Sequence, residues 1–221
     1  VRLLRLGGMV AGMGVAGVVG LGALTVVQTP IATTASSCAT SGYDNSPGCT
    51  QASLDQLNQG RASEGLAPES LPADWYGLSP AQQLLVATNS ERTVRGLAAL
   101  TENSSLDGDA AQGASSGTDP SPSQNYQSWG SNWAGDYQNA LEAAYAWVYN
   151  DGPGSPNVDC TPSNPAGCNG HRKNVLGDYT EIGTAYTPGS WAEIMSAPYP
   201  PSPPAAIVPQ STTTVVCGAH Q

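Results

Sequence analysis

Two histidines, His171 and His220, are the only side chains of this 221-residue chain that titrate near neutrality without help, which makes them the first candidates for acid–base work. His220 is next to last, where a side chain frays into solvent. His171 stands in GCNGHRKNVL, three residues after Cys168 and at the start of a short helical turn, a place both exposed and anchored. It can serve as a base, hold a ligand, or simply close the turn on a backbone carbonyl. The preceding loop YNDGPGSPNVDC carries Asn150, Asp151, Asn157 and Asp159, oxygen donors whose spacing is not that of an EF-hand and which a solvated acidic loop also explains. No serine is an evident nucleophile: Ser155 lies in GPGSP, not in a G-x-S-x-G elbow, and nothing in the sequence activates Ser131. Glu181 alternates with Ile182 in TEIGTAY and points to the face opposite it, toward a site or toward solvent. Trp129, Trp133 and Trp147 read as core or as the wall of a site.

The elements that must position these residues are marked by caps and periods. Ser79, Pro80 and Gln82 form an S-x-x-Q capping box, and Gly96 supplies a stop, which predicts a helix over Pro80 to Arg95. Asp136 is expected to cap a second helix, Tyr137 to Tyr149, in which Leu141, Ala144, Tyr145 and Val148 recur at helical spacing. A third, shorter helix is expected over about Ser105 to Ser116. The period then changes to two: TEIGTAY and WAEIMS flank Thr187-Pro188-Gly189-Ser190, predicting an antiparallel hairpin in which Gly183 matters little to pairing. PYPPSPPAAIVP, near 197–210, reads as an extended polyproline-like loop and STTTVVC as a last strand. One motif occurs twice: Asn58, Arg61, Gly65, Leu66 and Ala67 are echoed by Asn89, Arg92, Gly96, Leu97 and Ala98. Shared helix grammar accounts for the echo better than a repeat.

Composition restricts the partners. Lys and Arg number 7 against 17 Asp and Glu, a net charge of −10, so phosphate backbones and anionic lipid surfaces are repelled and nucleic-acid binding is not expected. Arg2 and Arg5 precede an uncharged stretch from Leu6 to Val27, and small residues at Thr33 and Ala35 suit cleavage after Ala35. Residues 1–35 are therefore read as a signal peptide or an N-terminal anchor, the membrane being touched only through that segment if it is retained. The rest is expected to be extracellular or at the cell surface. Five cysteines fit an oxidising compartment: Cys38 pairs with Cys49 and Cys160 with Cys168 as loop staples, with Cys217 left over. Each staple is worth roughly 2.5–3 kcal/mol on the chain-entropy account. No CxxC spacing suggests a structural zinc.

Read as a unit, GCNGHRKNVLGDYTEIGTAY resembles the G-H-R-x-N-I-L and T-E-I-G-V-G segments of bacterial members of the CAP superfamily, which includes the cysteine-rich secretory, antigen 5 and pathogenesis-related 1 proteins. Three further segments agree in order. LLVATNSERTVRGLAAL is similar to the family's first helix with its N-x-x-R, GSNWA resembles G-E-N-I-A, and ALEAAYAWVYN is similar to the helix that bears the family's tryptophan. The resemblance covers about Leu84 to Met195. It implies an α+β fold, an α-β-α sandwich with a small antiparallel sheet between helices and a cleft at one end. Residues 36–78 are then an N-terminal extension with a short helix, and 79–221 the CAP-like domain. The family's cleft often gathers a divalent metal with two histidines and two glutamates. Carried over, one histidine is His171, the G-E-N glutamate falls on Ser131, the acidic residue after the tryptophan falls near Asn150 with Asp151 beside it, and the other histidine falls near Asp119 or Pro120. Only His171 survives, so neither a metal nor another cofactor is expected. Asp119, Asp151 and Glu181 are not expected to converge on one imidazole. The resemblance implies a non-catalytic binder of a small molecule, lipid or cell-wall component, with His171, Ser131, Asn150, Asp151, Trp133 and Glu181 at the ligand. An extracellular hydrolase centred on His171, with Glu181 as a further catalytic candidate, is the alternative.

Overall fold

The computed structural model describes residues 38–200, which fall in one compact unit. The expected signal peptide or anchor with its expected cleavage point, Cys217, His220, STTTVVC and the end of the proline-rich stretch lie outside the described residues.

The capping box forms as expected. Ser79 Oγ accepts from the Gln82 backbone N–H, and Gln82 Oε1 accepts in turn from the Ser79 N–H, starting helix α2, Pro80–Thr93. Helix α1, Pro47–Ser63, precedes it, capped by Ser46. The two-residue strand β1, Thr101–Glu102, leads into α3, Ser104–Ser116. Strand β2 is Ser128–Gly135 and helix α4 is Ala140–Tyr149. A short α5, Gly170–Val175, is followed by β3, Glu181–Thr187, and β4, Ser190–Ala197. The cap of α4 differs from expectation. Asn139, not Asp136, accepts from the Leu141 and Glu142 N–H groups, while Asp136 sits at φ 65° in the left-handed region and turns the chain before the helix.

The sheet order is β1-β3-β4-β2. β3 and β4 form the antiparallel hairpin, with Thr187 opposite Ser190, and β2 runs antiparallel along β4. The sheet is mixed rather than purely antiparallel, because β1 joins β3 in parallel. Alternation along the strands divides the core into two faces. Trp191 joins Leu84, Ala87, Leu141, Trp147 and Val148 of α2 and α4 in one cluster, while Ala185, Ala192 and Ile194 meet Leu106, Ala110 and Ala114 of α3 in the other. This is the α-β-α sandwich. Gly183 pairs normally with Ile194, as expected, yet it has a second duty: a Cβ there would run into the Leu106–Asp107 backbone, so α3 is seated on it.

Residues 38–78 belong to the same core. Leu57 and Trp75 are 0% and 1% exposed and sit in the α2/α4 cluster. The Cys38–Cys49 disulfide closes the start of α1, and Asn139 Nδ2 donates to Ser53 Oγ at 2.8 Å. Arg61 pairs with Glu69 and, at 2.8 Å, with the fully buried Glu91, which also accepts from Arg95 at 2.7 Å. The echoed motif proves to be one helix-ending device used twice. Asn58 exchanges hydrogen bonds with the backbone of Glu69 and Asn89 with that of Leu100, while Arg61 and Arg92 donate to the carbonyls of Ala67 and Ala98.

Candidate functional site

β2 is an edge strand, and the space beside it is closed by three chain segments. The turn after α3 carries Asp119, the end of α4 carries Asn150 and Asp151, and the loop 152–169 returns to α5 and His171. Together they bound a cleft of about 580 Å³, walled by Trp133, Tyr137, Trp147, Pro156 and Val158, with Asp119, Asn150, Asp151, Asp159 and His171 also lining it. The loop is stapled by the Cys160–Cys168 disulfide, as expected from spacing.

Asp151 organises this end. It is 1% exposed. Its Oδ1 lies 2.7 Å from His171 Nδ1 and accepts from Asn157 Nδ2 at 2.6 Å, and its Oδ2 accepts from the Arg172 backbone N–H at 3.1 Å. Its carbonyl accepts from the Asn169 N–H at 2.8 Å. One residue thus ties the stapled loop to α5 and sets the imidazole's orientation. Burial alone would discharge His171, but the Asp151 hydrogen bond and the charges of Asp151, Asp119 and Asp159 outweigh it and hold the pKa above the usual 6.5. One ligand atom each from His171, Asp119 and Asp159 lie within 4.8 Å of one another. Asp119 is exposed as a residue, yet loss of water at its carboxyl pushes its pKa up, against the His171 charge and the Trp133 backbone N–H that favour the anion.

The expected site residues divide. His171, Asn150, Asp151 and Trp133 line the cleft; Ser131 and Glu181 do not. Ser131 is buried on the strand and its carbonyl accepts from Asn174 Nδ2 at 2.7 Å. Glu181 accepts from Asn103 Nδ2 at 3.0 Å and lies on β3, separated from β2 by β4. It is therefore neither a ligand contact in this cleft nor a partner for His171. Three carboxylates gather near His171, but they are Asp119, Asp151 and Asp159, with Asp159 rather than Glu181 as the third. The four positions carried over from the family do not make its metal site, because Ser131, a poor metal ligand, is buried on β2 and does not line the cleft. A different nitrogen and oxygen set, His171 with Asp119 and Asp159, has donors suited to a divalent cation, with Asp151 behind the imidazole.

Two residues behind the cleft were missed from the sequence. Glu193, 0% exposed, accepts from Thr88 Oγ1 at 2.5 Å and from Asn132 Nδ2 at 2.8 Å, and burial pushes its pKa up to about 7. Asn132 also donates to the His171 carbonyl at 3.3 Å and accepts from Asn174 Nδ2 at 3.0 Å, tying β2 to α5. The signal was present in WAEIMS, where Glu193 falls between Trp191 and Met195 on one strand face, a charge at a core position.

Residues 85–192 match the CAP family, described as the Cysteine-rich secretory protein family. No curated protein matches this chain. Among solved structures it is similar to a cysteine-rich secretory protein from Staphylococcus aureus subsp. aureus Mu50, at 19% identity and a TM-score of 0.39 over 53% of this chain and 38% of that one. It is also similar to an extracellular protein containing a SCP domain from Bacillus anthracis str. Ames, at 17% identity and a TM-score of 0.40 over 59% of this chain and 45% of that one. A third is Schistosoma mansoni venom allergen-like protein 4, at 20% identity and a TM-score of 0.40 over 55% of this chain and 90% of that one. The chain thus spans less than half the length of the two bacterial proteins. The matched segment runs from inside α2 to inside β4 and contains His171, and it is this part of the chain that carries the similarity to the CAP family of cysteine-rich secretory proteins.

Proposed function

We propose that this is an exported CAP-domain protein whose cleft holds a ligand without turning it over. The two disulfides support export, since such bonds persist in oxidising compartments. The make-up of the cleft carries the reading: an indole-rich wall faces an acidic pole, and among the described residues His171 side-chain nitrogens bond no hydroxyl or thiol. Such a cleft anchors a molecule with an apolar body and a neutral or cationic polar end, of small-molecule, lipid or cell-wall origin. A phosphate or sulfate end is repelled by Asp119, Asp151 and Asp159. Tryptophan fluorescence titration tests this with alkyl chains of equal length carrying a maltoside, a trimethylammonium or a sulfate. Saturable binding of the first two, weakened in Trp133→Ala and recovered unaltered by mass spectrometry, is expected. Equal binding of the sulfate, or none of any, would refute it.

The His171–Asp151 pair at 2.7 Å favours a second reading, hydrolysis by a water that the imidazole deprotonates. Ester or glycan-fragment cleavage that disappears in His171→Ala would establish it in place of the first.

A further inference from the structure

We propose that the groove between α1, α4 and the start of α5 is a second binding site, and that it takes an oligosaccharide bearing carboxylates. It encloses about 410 Å³, within the range of ligand pockets, and shares no lining residue with the cleft beside β2. One wall is α1 with its C-cap Glu64, ahead of the family-matched segment. Tyr149 fixes the aromatic side. A Cβ on Gly60 would run into the Tyr149 ring, so the backbone of α1 packs directly against it, and the Tyr149 hydroxyl donates to the buried Glu91 at 2.7 Å. Tyr145 stacks beside it, with ring centroids 5.9 Å apart. Past Asn169 and Arg172 a more open depression continues to Lys173.

Charge selects an acidic ligand. Five lysine and arginine residues lie among the described residues of a chain whose net charge is −10. Arg61 and Arg92 are 2% exposed and bonded in the core, while the other three, Arg95, Arg172 and Lys173, gather at this groove. Glu64 is the one carboxylate among the lining residues, and Arg95 and Arg172 each hold it at 2.8 Å. Arg172 is anchored further by donating to the Val148 carbonyl at 2.6 Å. Among the described residues its Nε–H and the Lys173 ammonium have no hydrogen-bond partner, and both are donors matched to a carboxylate. The rest of the lining selects a sugar over a peptide. The amides of Gln59 and Asn169 and the hydroxyl of Tyr145 are likewise without partners among the described residues. Donors and acceptors thus surround an aromatic ring, the complement of a pyranose with its hydroxyls and its apolar C–H face. No strand borders the groove, so an extended peptide gains no backbone ladder there. The two sites have opposite polarity: carboxylates line the cleft, and cations predominate here.

The test is titration of the whole chain, labelled with nitrogen-15, with trigalacturonate, maltotriose and triglutamate, followed by two-dimensional NMR. Trigalacturonate should bind at one site with a dissociation constant of about 0.1–1 mM. It should shift the amides of Gln59, Ser63, Asn169 and Lys173 and leave the Trp133 indole N–H in place. Maltotriose, which lacks the charge, and triglutamate, which lacks the rings, should each bind at least about tenfold more weakly. Gln59→Ala and Lys173→Gln, both at exposed positions, and Asn169→Gly, which suits the left-handed φ of 60°, should keep the fold and each weaken trigalacturonate binding at least about threefold. Triglutamate binding as tightly would make the groove an anion patch, maltotriose binding as tightly would remove the role of the cations, and either result overturns the proposal. So would no shift at about 5 mM trigalacturonate, shifts confined to the Trp133 indole, or three variants that bind like the parent.

Discussion

Asp151 does more for the cleft than the histidine it holds, because the same carboxylate fixes the imidazole, the loop and the first turn of α5. Asp151→Asn keeps the shape and removes the charge, and His171 should then titrate at a lower pH than in the parent chain. Two-dimensional NMR of the imidazole across pH 5–9 checks this, and an unchanged midpoint would contradict the assigned cause. Glu193 supplies a pH dependence of the opposite origin. Its pKa is about 7 when folded against an ordinary 4.5, so the folded chain binds the extra proton between those values. That contribution to stability is fully present below about pH 4.5 and is lost as pH rises through 7. Glu193→Gln removes it. Across pH 4.5 to 8 the parent should lose about 3 kcal/mol relative to the variant, measured by denaturant unfolding at each pH.

Elements show how little freedom the packing leaves. Gly183→Ala should leave the β3–β4 register intact but push α3 off the sheet, costing 2 kcal/mol or more in thermal or denaturant unfolding, roughly the scale of core overpacking. The cap of α4 gives a paired test. Asn139→Ala removes a cap bonded to two backbone N–H groups together with a buried bond to Ser53, and should cost about 2 kcal/mol. Asp136→Ala lies outside the helix and should not reproduce that loss through the cap. The echo of Asn58 and Arg61 in Asn89 and Arg92 also belongs at this scale. Both copies solve the same problem, satisfying the carbonyls and the returning chain beyond a helix end, and then diverge: Arg61 turns to Glu69 and Glu91, Arg92 to the carbonyls of Val175 and Gly177 near α5.

At the scale of the molecule, residues 38–78 are welded to the family-matched segment by a buried ionic cluster as well as by Leu57 and Trp75. Arg61→Ala leaves Glu91 buried without its partner from α1 and should cost about 3–5 kcal/mol. Arg172→Ala breaks a partly exposed pair with Glu64, whose electrostatic share is at most about 1 kcal/mol. Comparing their unfolding free energies separates a cluster that holds two segments together from a surface contact.

From the sequence alone came the helices α2 and α3, the body of α4, the β3–β4 hairpin, both disulfides and the sandwich that the family resemblance implies. Their signals are local: a cap speaks to the backbone three residues on, a strand period to the next two residues, a short cysteine spacing to a short loop. Tertiary structure decided what local signals do not reach. It placed α1 and Trp75 in the core, made β1 parallel, moved the α4 cap to Asn139 and removed Ser131 and Glu181 from the cleft. It also gathered Asp119, Asp151, Asp159 and His171, residues from three separate segments. Which side chains share a cleft depends on how those segments close against the edge of β2, and that closure is set by packing and hydrogen bonds between residues far apart in the chain.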